Sequence, residues 1–564
     1  MLDFQRQSGT YLLIPVPPTP NGPMHLGHIA GPYLRTDILA RRLRQHGDRA
    51  VVYTGTDDND NYVTLKAAQL NIPPDEVCRK FHRRIAQDLD AMNIQVGEFI
   101  DTLDGEGRAT YRRHMSATME KLLATGFAVT RSEKILISAD TNDALVGCWI
   151  TGKCPLCKAH VAGYFCEACG THFQPEEILD ATPRNGNLKT DVRTVENIFL
   201  NIKDTEAHLT KLREMGASPS IIDIVARFFS IPGNQFRLTV PGTWGVSYGN
   251  DPSGFPRSIF SILWEIFVYG DLLAARNARD LPAYLSESTT KIILAFGVDN
   301  TIALLIGGVG VVGALPGCKA PEYALTNYFM NLEDEKFSTS RNHVIWAADI
   351  AACMEGRVDA LRYYLCAVSP DMEVTNFSVT EFSHIVNQIV GQQVMETVRA
   401  ALKSAHVASI LGEIELDDII IQRFKAAVVE QDHYLQPKQV LLQRVLAPIS
   451  KWISDAANHT QQGTSAYWWA KAFACLVFPV MPELAEAVWV TLGHDGAPSF
   501  HAFLSIPKFG DLSIIENHHI PKIRAEDIAI MLPKKLPIDI FVVPMEEDGE
   551  NSDEAETSNK YETS

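Results

Sequence analysis

Residues Tyr11 to Val16 form a short apolar run, and Ile29 to Arg44 place apolar residues at helical spacing. Between them stands Pro17-Pro18-Thr19-Pro20-Asn21-Gly22-Pro23-Met24-His25-Leu26-Gly27-His28. The junction predicts a buried strand that feeds a helix through a turn. A helix start offers unpaired backbone N–H groups and a positive dipole end to an anion, and Gly22 and Gly27 let a ligand approach the backbone. His25 and His28 project to one side of the first turn, where imidazoles can donate hydrogen bonds to phosphate oxygens as their charge redistributes. A surface turn with two solvated histidines has the same composition, so the motif needs company before it carries a function.

The 564 residues leave room for several domains and a large buried core, and 46% hydrophobic with 21% charged residues is ordinary for a soluble globular protein. The net charge of -18 gives no support to a nucleic-acid surface, although eight of the acidic residues lie after Pro544. No apolar run reaches the roughly 18 residues that span a bilayer, and the N-terminus lacks a signal-peptide pattern. No membrane partner is therefore expected, and the Gly-rich run Ile302 to Leu315 reads as core. Ten cysteines, four of them in one cluster, predict a reducing, cytoplasmic setting.

Residues 1–115 alternate short strands with amphipathic helices, the first half of a Rossmann-type doubly wound α/β sheet. Asp57 falls at the end of the Ala50 to Tyr53 strand, where open parallel sheets bind ligands, and it equally suits the cap of a helix over Tyr62 to Gln69. An insert follows over 116–236. In it Cys154, Cys157, Cys166 and Cys169 form two CxxC turns that can hold one tetrahedral, structural Zn2+. The second half of the sheet is expected over 237–345, resuming at Phe236 to Gly245 and continuing through Ser258 to Gly270 and Lys291 to Ala295. Within it, Glu335-Lys336-Phe337-Ser338-Thr339-Ser340-Arg341 puts cations on a small-residue loop suited to a polyphosphate. Residues 346–505 read as a helical bundle, with segments near Val358–Ala367, Val379–Ser404, Glu415–Gln431, Gln436–Asn458 and Trp468–Leu492. The cluster Tyr467-Trp468-Trp469 is assigned to its core rather than to base stacking. A C-terminal extension over 506–545 and a disordered acidic tail over 546–564 complete the chain.

The ordered set HLGH, Tyr53-Thr54-Gly55-Thr56-Asp57, the cysteine knuckle and KFSTS resembles the HIGH, TGTD, zinc-knuckle and KMSKS segments of methionyl-type class I aminoacyl-tRNA synthetases. The resemblance implies that an amino-acid carboxylate attacks the alpha-phosphate of ATP, with Mg2+, to give an aminoacyl-adenylate and pyrophosphate. A tRNA 3' hydroxyl is the implied acceptor. It assigns His25, His28, Lys336 and Arg341 to the phosphates, and Gly27, Gly297, Asp299, Ser338 and Ser340 to ATP. Pro17, Thr19, Asp57, Leu263, Phe267 and Leu304 fall to the amino acid, with Asp57 on its ammonium.

Several positions depart from the family. Its Tyr before HIGH is Thr19, its WxDAPxGY segment corresponds to about Leu263 to Gly270 without the pattern, its His after GxD is Leu304, and its Arg in the RDxxWG segment is Thr239. A thioether needs polarizable aromatic walls, so these changes predict an amino acid other than methionine. Thr339 replaces the second lysine of KMSKS, and losing one electrostatic donor costs about 2.7 to 4 kcal/mol. Of the anticodon readers Arg399 is kept, Met395 replaces an Asn, and the loop His459 to Ser465 lacks a stacking Trp, which predicts loss of base-edge readout. Two other readings stay open: transfer to a small hydroxylamine or amine, as in hydrazine-forming enzymes, and a non-catalytic regulatory paralogue.

Overall fold

A computed structural model describes residues 8–529, apart from 165, 167, 168, 170, 172, 185–188, 232, 263, 279 and 338–342. The tail expected over 546–564 lies outside the described residues. Five strands form the central sheet: β1 (Thr10–Pro15), β2 (Arg49–Gly55), β3 (Glu98–Ile100), β4 (Lys291–Gly297) and β5 (Tyr323–Asn327). They run parallel in the order β5-β4-β1-β2-β3. Leu12, Leu13 and Ile14 of β1 are at most 1% exposed. Burial on both faces is why this strand reads as a continuous apolar run. The chain leaves β1 for β2 on one side and pairs it with β4 on the other, so the sheet's switch point lies between β1 and β4, at whose carboxyl ends a crevice opens.

The inserted region is built on a long antiparallel ladder between Ala128–Ser138 and Thr190–Leu200. Phe236–Arg237 pairs with Leu200 and Phe199 of this ladder, so the central sheet does not resume there as expected. The Arg237 guanidinium holds it, donating to Glu133 Oε1 at 2.7 Å in a pair with both side chains at most 1% exposed. Thr239–Pro241 joins a small antiparallel sheet with Pro256–Ile259 and Ser247–Asn250. The run expected to carry the sheet through Gly270 is instead a helix, Glu265–Arg276, whose residues Glu265 to Gly270 are all buried. Burial all round removes the periodicity that separates a helix from a strand. Ile302–Ala314 is likewise buried helix, the core assignment read from its composition.

The C-terminal region is mainly helical from Ala347 onward, with a short strand Thr375–Phe377 that pairs back on Met330–Leu332. The segment read as one helix from Trp468 to Leu492 is two, Gly463–Val477 and Pro482–Thr491. Pro479 and Pro482 lack the N–H groups that would continue the first helix. The segment expected from Gln436 starts at Leu442, after a short Leu435–Gln436 and Gln439–Val440 pairing. Tyr467, Trp468 and Trp469 are at most 1% exposed and belong to the core. Arg362 ties bundle to sheet: it donates to Asp37 Oδ2 at 2.6 Å and to the carbonyls of Val480, Met92, Asn93 and Pro479.

Candidate active site

The turn after β1 delivers His25 and His28 to the crevice. The two close a reciprocal cap: the His25 N–H donates to His28 Nδ1 and the His28 N–H to His25 Nδ1, each at 3.3 Å. Their rings stack with centroids 3.7 Å apart, and His25 stacks on Phe337 at 5.1 Å. Gly27 keeps this cap open, because a Cβ there would stand 3.1 Å from the His25 ring. Since both Nδ1 atoms accept, each ring proton sits on Nε2. Burial, aided by the neighbouring His28, holds His25 well below the ordinary imidazole range, and burial holds His28 down to about 4. The pair is therefore neutral at pH 7 and presents Nε2–H donors.

At the end of β2, Asp57 accepts a hydrogen bond from Ser261 Oγ at 2.6 Å. Burial and then the charge of Asp60 push its carboxyl up to about 8. Asp60 accepts from Thr19 Oγ1 at 2.6 Å and from the Tyr62 N–H at 3.1 Å. Asp60, not Asp57, thus serves the start of helix Tyr62–Leu70, which frees Asp57 for a ligand. Across from them, Glu265 opens its helix at 3% exposure. Burial and then the charge of Asp57 raise its carboxyl well above the usual range.

These groups share one cleft of about 860 Å3. Of the residues expected at the site, Pro17, Thr19, His25, Gly27, His28 and Asp57 line it from the β1 and β2 side. Gly297, Asp299, Leu304 and Lys336 line it from the other. Phe267 does not. It is 2% exposed in the core, stacked with His114 at 5.5 Å and edge-on to Tyr284 at 5.0 Å. Two residues along a helix is a turn of about 200°, so a helix that aims Glu265 into the cleft aims Phe267 away from it. Leu263, Ser338, Ser340 and Arg341 lie outside the described residues. Asp60, Ser261 and Glu265 were absent from the expected set; a lone acid inside the apolar run Ile262 to Tyr269 was the one available signal for Glu265.

The knuckle borders the same cleft through His160, Val161 and Ala162. The Sγ atoms of Cys154, Cys157, Cys166 and Cys169 all lie within 4.8 Å of one another, with Cys154–Cys169 at 3.7 Å and Cys157–Cys166 at 3.5 Å. Four thiolates at Zn–S distances of about 2.3 Å stand roughly 3.8 Å apart, so the cluster fits Zn2+ and leaves no position open for substrate.

A parallel sheet in this order, a histidine pair at its switch point and an inserted thiol cluster define the class I synthetase fold. The chain belongs to the family described as tRNA synthetases class I (M), whose profile matches residues 14–401. It is 27% identical over 548 residues to the methionine–tRNA ligase of Bifidobacterium animalis subsp. lactis, covering 88% of this chain and 85% of that one. It is 25% identical over 512 residues to the methionine–tRNA ligase of Methanopyrus kandleri, covering 84% and 74%. Its fold matches that of Mycobacterium tuberculosis methionyl-tRNA synthetase bound by methionyl-adenylate, with a TM-score of 0.65, 16% identity, and coverage of 91% and 99%. The protein is a methionyl-type class I synthetase, an ATP-dependent ligase by family.

Proposed function

We propose that the cleft joins an amino-acid carboxylate to the alpha-phosphate of ATP, releasing pyrophosphate and leaving an aminoacyl-adenylate. The observation that carries this reading is the pair of neutral imidazoles whose Nδ1 atoms are spent on the backbone, leaving two Nε2–H donors at the sheet's switch point. Such donors stabilise negative charge as it redistributes over the phosphate oxygens without exchanging protons with them. Lys336, on the exposed strand Glu335–Lys336 that lines the same cleft, supplies the cationic contact to the pyrophosphate end, a part that the family resemblance extends to Ser338, Ser340 and Arg341. Gly297 and Asp299 hold the ribose, where a carboxylate suits hydroxyl donors. Asp57 holds the ammonium of the amino acid, against a wall that includes Pro17, Thr19 and Leu304. Mg2+ would enter with the nucleotide and screen its charge. Zn2+ on the four cysteines would fix the insert that borders the cleft, with no part in the chemistry.

The family acceptor is a tRNA 3' hydroxyl. One observation favours a small amine or hydroxylamine acceptor instead. Arg399, the remaining anticodon-type cation, donates to the carbonyls of His518 at 2.6 Å and Ile515 at 3.4 Å, and Met395 is 1% exposed. A guanidinium spent on the protein's own backbone is not presented to a base edge. The test is amino-acid-dependent ATP–pyrophosphate exchange, run with and without total tRNA. Exchange with tRNA charging establishes the ligase; exchange without charging establishes the small-acceptor enzyme; no exchange with any amino acid refutes adenylation.

A further inference from the structure

We propose that the wall which the insert gives to the cleft is the acceptor's subsite, and that Arg184 on it selects a small amine or hydroxylamine that carries a carboxylate. The proposal rests on the adenylation reading above, which leaves this wall without a ligand. That reading gives the histidines to phosphate, Gly297 and Asp299 to the ribose, and Asp57 to the ammonium. The cleft continues past them along Gly147, Cys148, His160, Gly163 and Arg184. Arg184 follows the strand Leu179–Pro183, and its backbone N–H donates to the Trp149 carbonyl at 2.9 Å, so the small sheet of the insert fixes its place on the wall. Among the described residues its exposed guanidinium makes no hydrogen bond or ion pair, whereas Arg237 of the same insert is paired with Glu133.

A second feature joins this wall to the amino-acid end. Asp60 accepts from Thr19 Oγ1 at 2.6 Å and from the Tyr62 N–H at 3.1 Å, and Thr19, Asp60 and Tyr62 all line the cleft. Asp60 and Arg184 act with opposite sign on the same two groups, the Tyr62 hydroxyl and the Cys148 thiol, so both charges lie close to that pair. They form no ion pair with each other, and neither has one with any other described residue. Gly147 and Gly163, with φ of 58° and 91°, line the cleft there with bare backbone, and a side chain at Gly147 would run into Asn61. This part of the cleft thus holds one acid and one guanidinium, both unpaired, the complement of an amine joined to a carboxylate. Guanidinium meets carboxylate through two parallel hydrogen bonds. An RNA 3' end would bring a phosphate with each nucleotide and needs a run of cations. Arg184 is the single Lys or Arg among the described insert residues that line the cleft, which suits one carboxylate. In the transfer, a lone pair on the acceptor's nitrogen or oxygen forms the bond to the acyl carbon. The bond from that carbon to the phosphate oxygen breaks, AMP leaves with the electron pair, and the acceptor's proton goes to solvent.

The experiment gives the full chain MgATP and each amino acid that supports pyrophosphate exchange, then compares matched acceptors. Aminooxyacetate is set against O-methylhydroxylamine and beta-alanine against beta-alaninamide, with total tRNA as a separate arm. Mass spectrometry identifies the acyl product, and acceptor-dependent AMP release gives kcat/KM. The expected result is a preference of about tenfold or more for the carboxylate member of a pair, the size of one hydrogen bond to a charged group. Arg184→Gln brings that ratio to about one through KM, and Arg184→Lys restores part of it. Equal use of both members of each pair, a ratio that Arg184→Gln leaves unchanged, transfer to none of these small acceptors, or charging of tRNA alone overturns the proposal while adenylation stands. No exchange with any amino acid, in protein that binds ATP, overturns adenylation and this proposal with it. Where Arg184→Gln fails to fold, the native ratios and Arg184→Lys decide the matter.

Discussion

Replacing His28 with alanine tests the histidine cap, and its two consequences separate by size. The catalytic loss is one preorganised donor, worth about 2.7 to 4 kcal/mol, or roughly 100- to 1000-fold in kcat. The structural loss is smaller. The His28 Nδ1 bond to the His25 N–H is long at 3.3 Å and is worth about 1 kcal/mol or less, and the 3.7 Å ring stack adds about 0.5 to 1.5. A domain of ordinary stability survives that sum. The assay is pyrophosphate exchange at saturating amino acid and ATP, with urea unfolding as the measure of the structural part. His28→Asn, which keeps an N–H donor, should recover part of kcat. Because burial holds His28 down to about 4, its charge does not change between pH 5.5 and 8. A fall in kcat of less than tenfold in His28→Ala, or a native kcat profile with an ionisation near 6.5 that vanishes in His28→Asn, would refute the neutral-donor argument.

Three other perturbations have defined outcomes. If Asp57 holds the ammonium as proposed, it does so only when ionised, and since it is pushed up to about 8, kcat/KM for the amino acid should climb as pH rises through about 8. Asp60→Asn removes a charge that raises Asp57 and should move that midpoint to lower pH; an unchanged midpoint would sink the electrostatic account. Zinc analysis of the purified chain should find about one Zn2+ per molecule, with Cys157→Ser losing it, as a four-thiolate shell requires; metal-free native protein contradicts the assignment. Arg362→Met leaves Asp37 with Arg41 as its remaining ion-pair partner and strands the carbonyls of Val480, Met92 and Pro479, while that of Asn93 keeps Arg41, so urea unfolding should show a loss of about 3 to 5 kcal/mol, and a loss under 1 would show the contact to be dispensable.

What could be read from the chain follows from which signals are local. β1 is buried on both faces, so its residues had to be continuously apolar, and the strand could be found without knowing its neighbours. The cysteine spacing is fixed by metal geometry within 16 residues, Cys154 to Cys169, and survives into the folded cluster. The helix Glu265–Arg276 is the opposite case. Its first six residues are all buried, so no polar face marks its period, and aligning it on aromatic content chose Phe267 over Glu265. Asp57 and Asp60 could not be separated either, because either carboxylate satisfies the cap pattern and the choice depends on Ser261, which is distant in sequence and donates to Asp57. Phe236–Arg237 joined the insert because Glu133, also distant in sequence, holds its guanidinium.

The cleft also has a polarity that no single motif contains. It joins the neutral donors His25 and His28 to the acids Asp57, Asp60 and Glu265, which have no described ion pair with a cation. On the proposed reading an amino acid settles with its ammonium toward Asp57 and its carboxylate toward the imidazoles, which is the orientation attack on a phosphate requires. Neutrality of the two histidines matters for the same reason. Full positive charges fixed beside ATP would bind the ground state and the transition state alike, whereas N–H dipoles gain most where charge develops. On the proposed reading the nucleotide's cation is Lys336 instead, on the exposed strand Glu335–Lys336 that lines the same cleft. Moving a fixed positive charge into the cap, as in His28→Lys, should therefore tighten ATP binding while lowering kcat. ATP binding unchanged together with a raised kcat would show that charge, and not preorganised direction, limits the step.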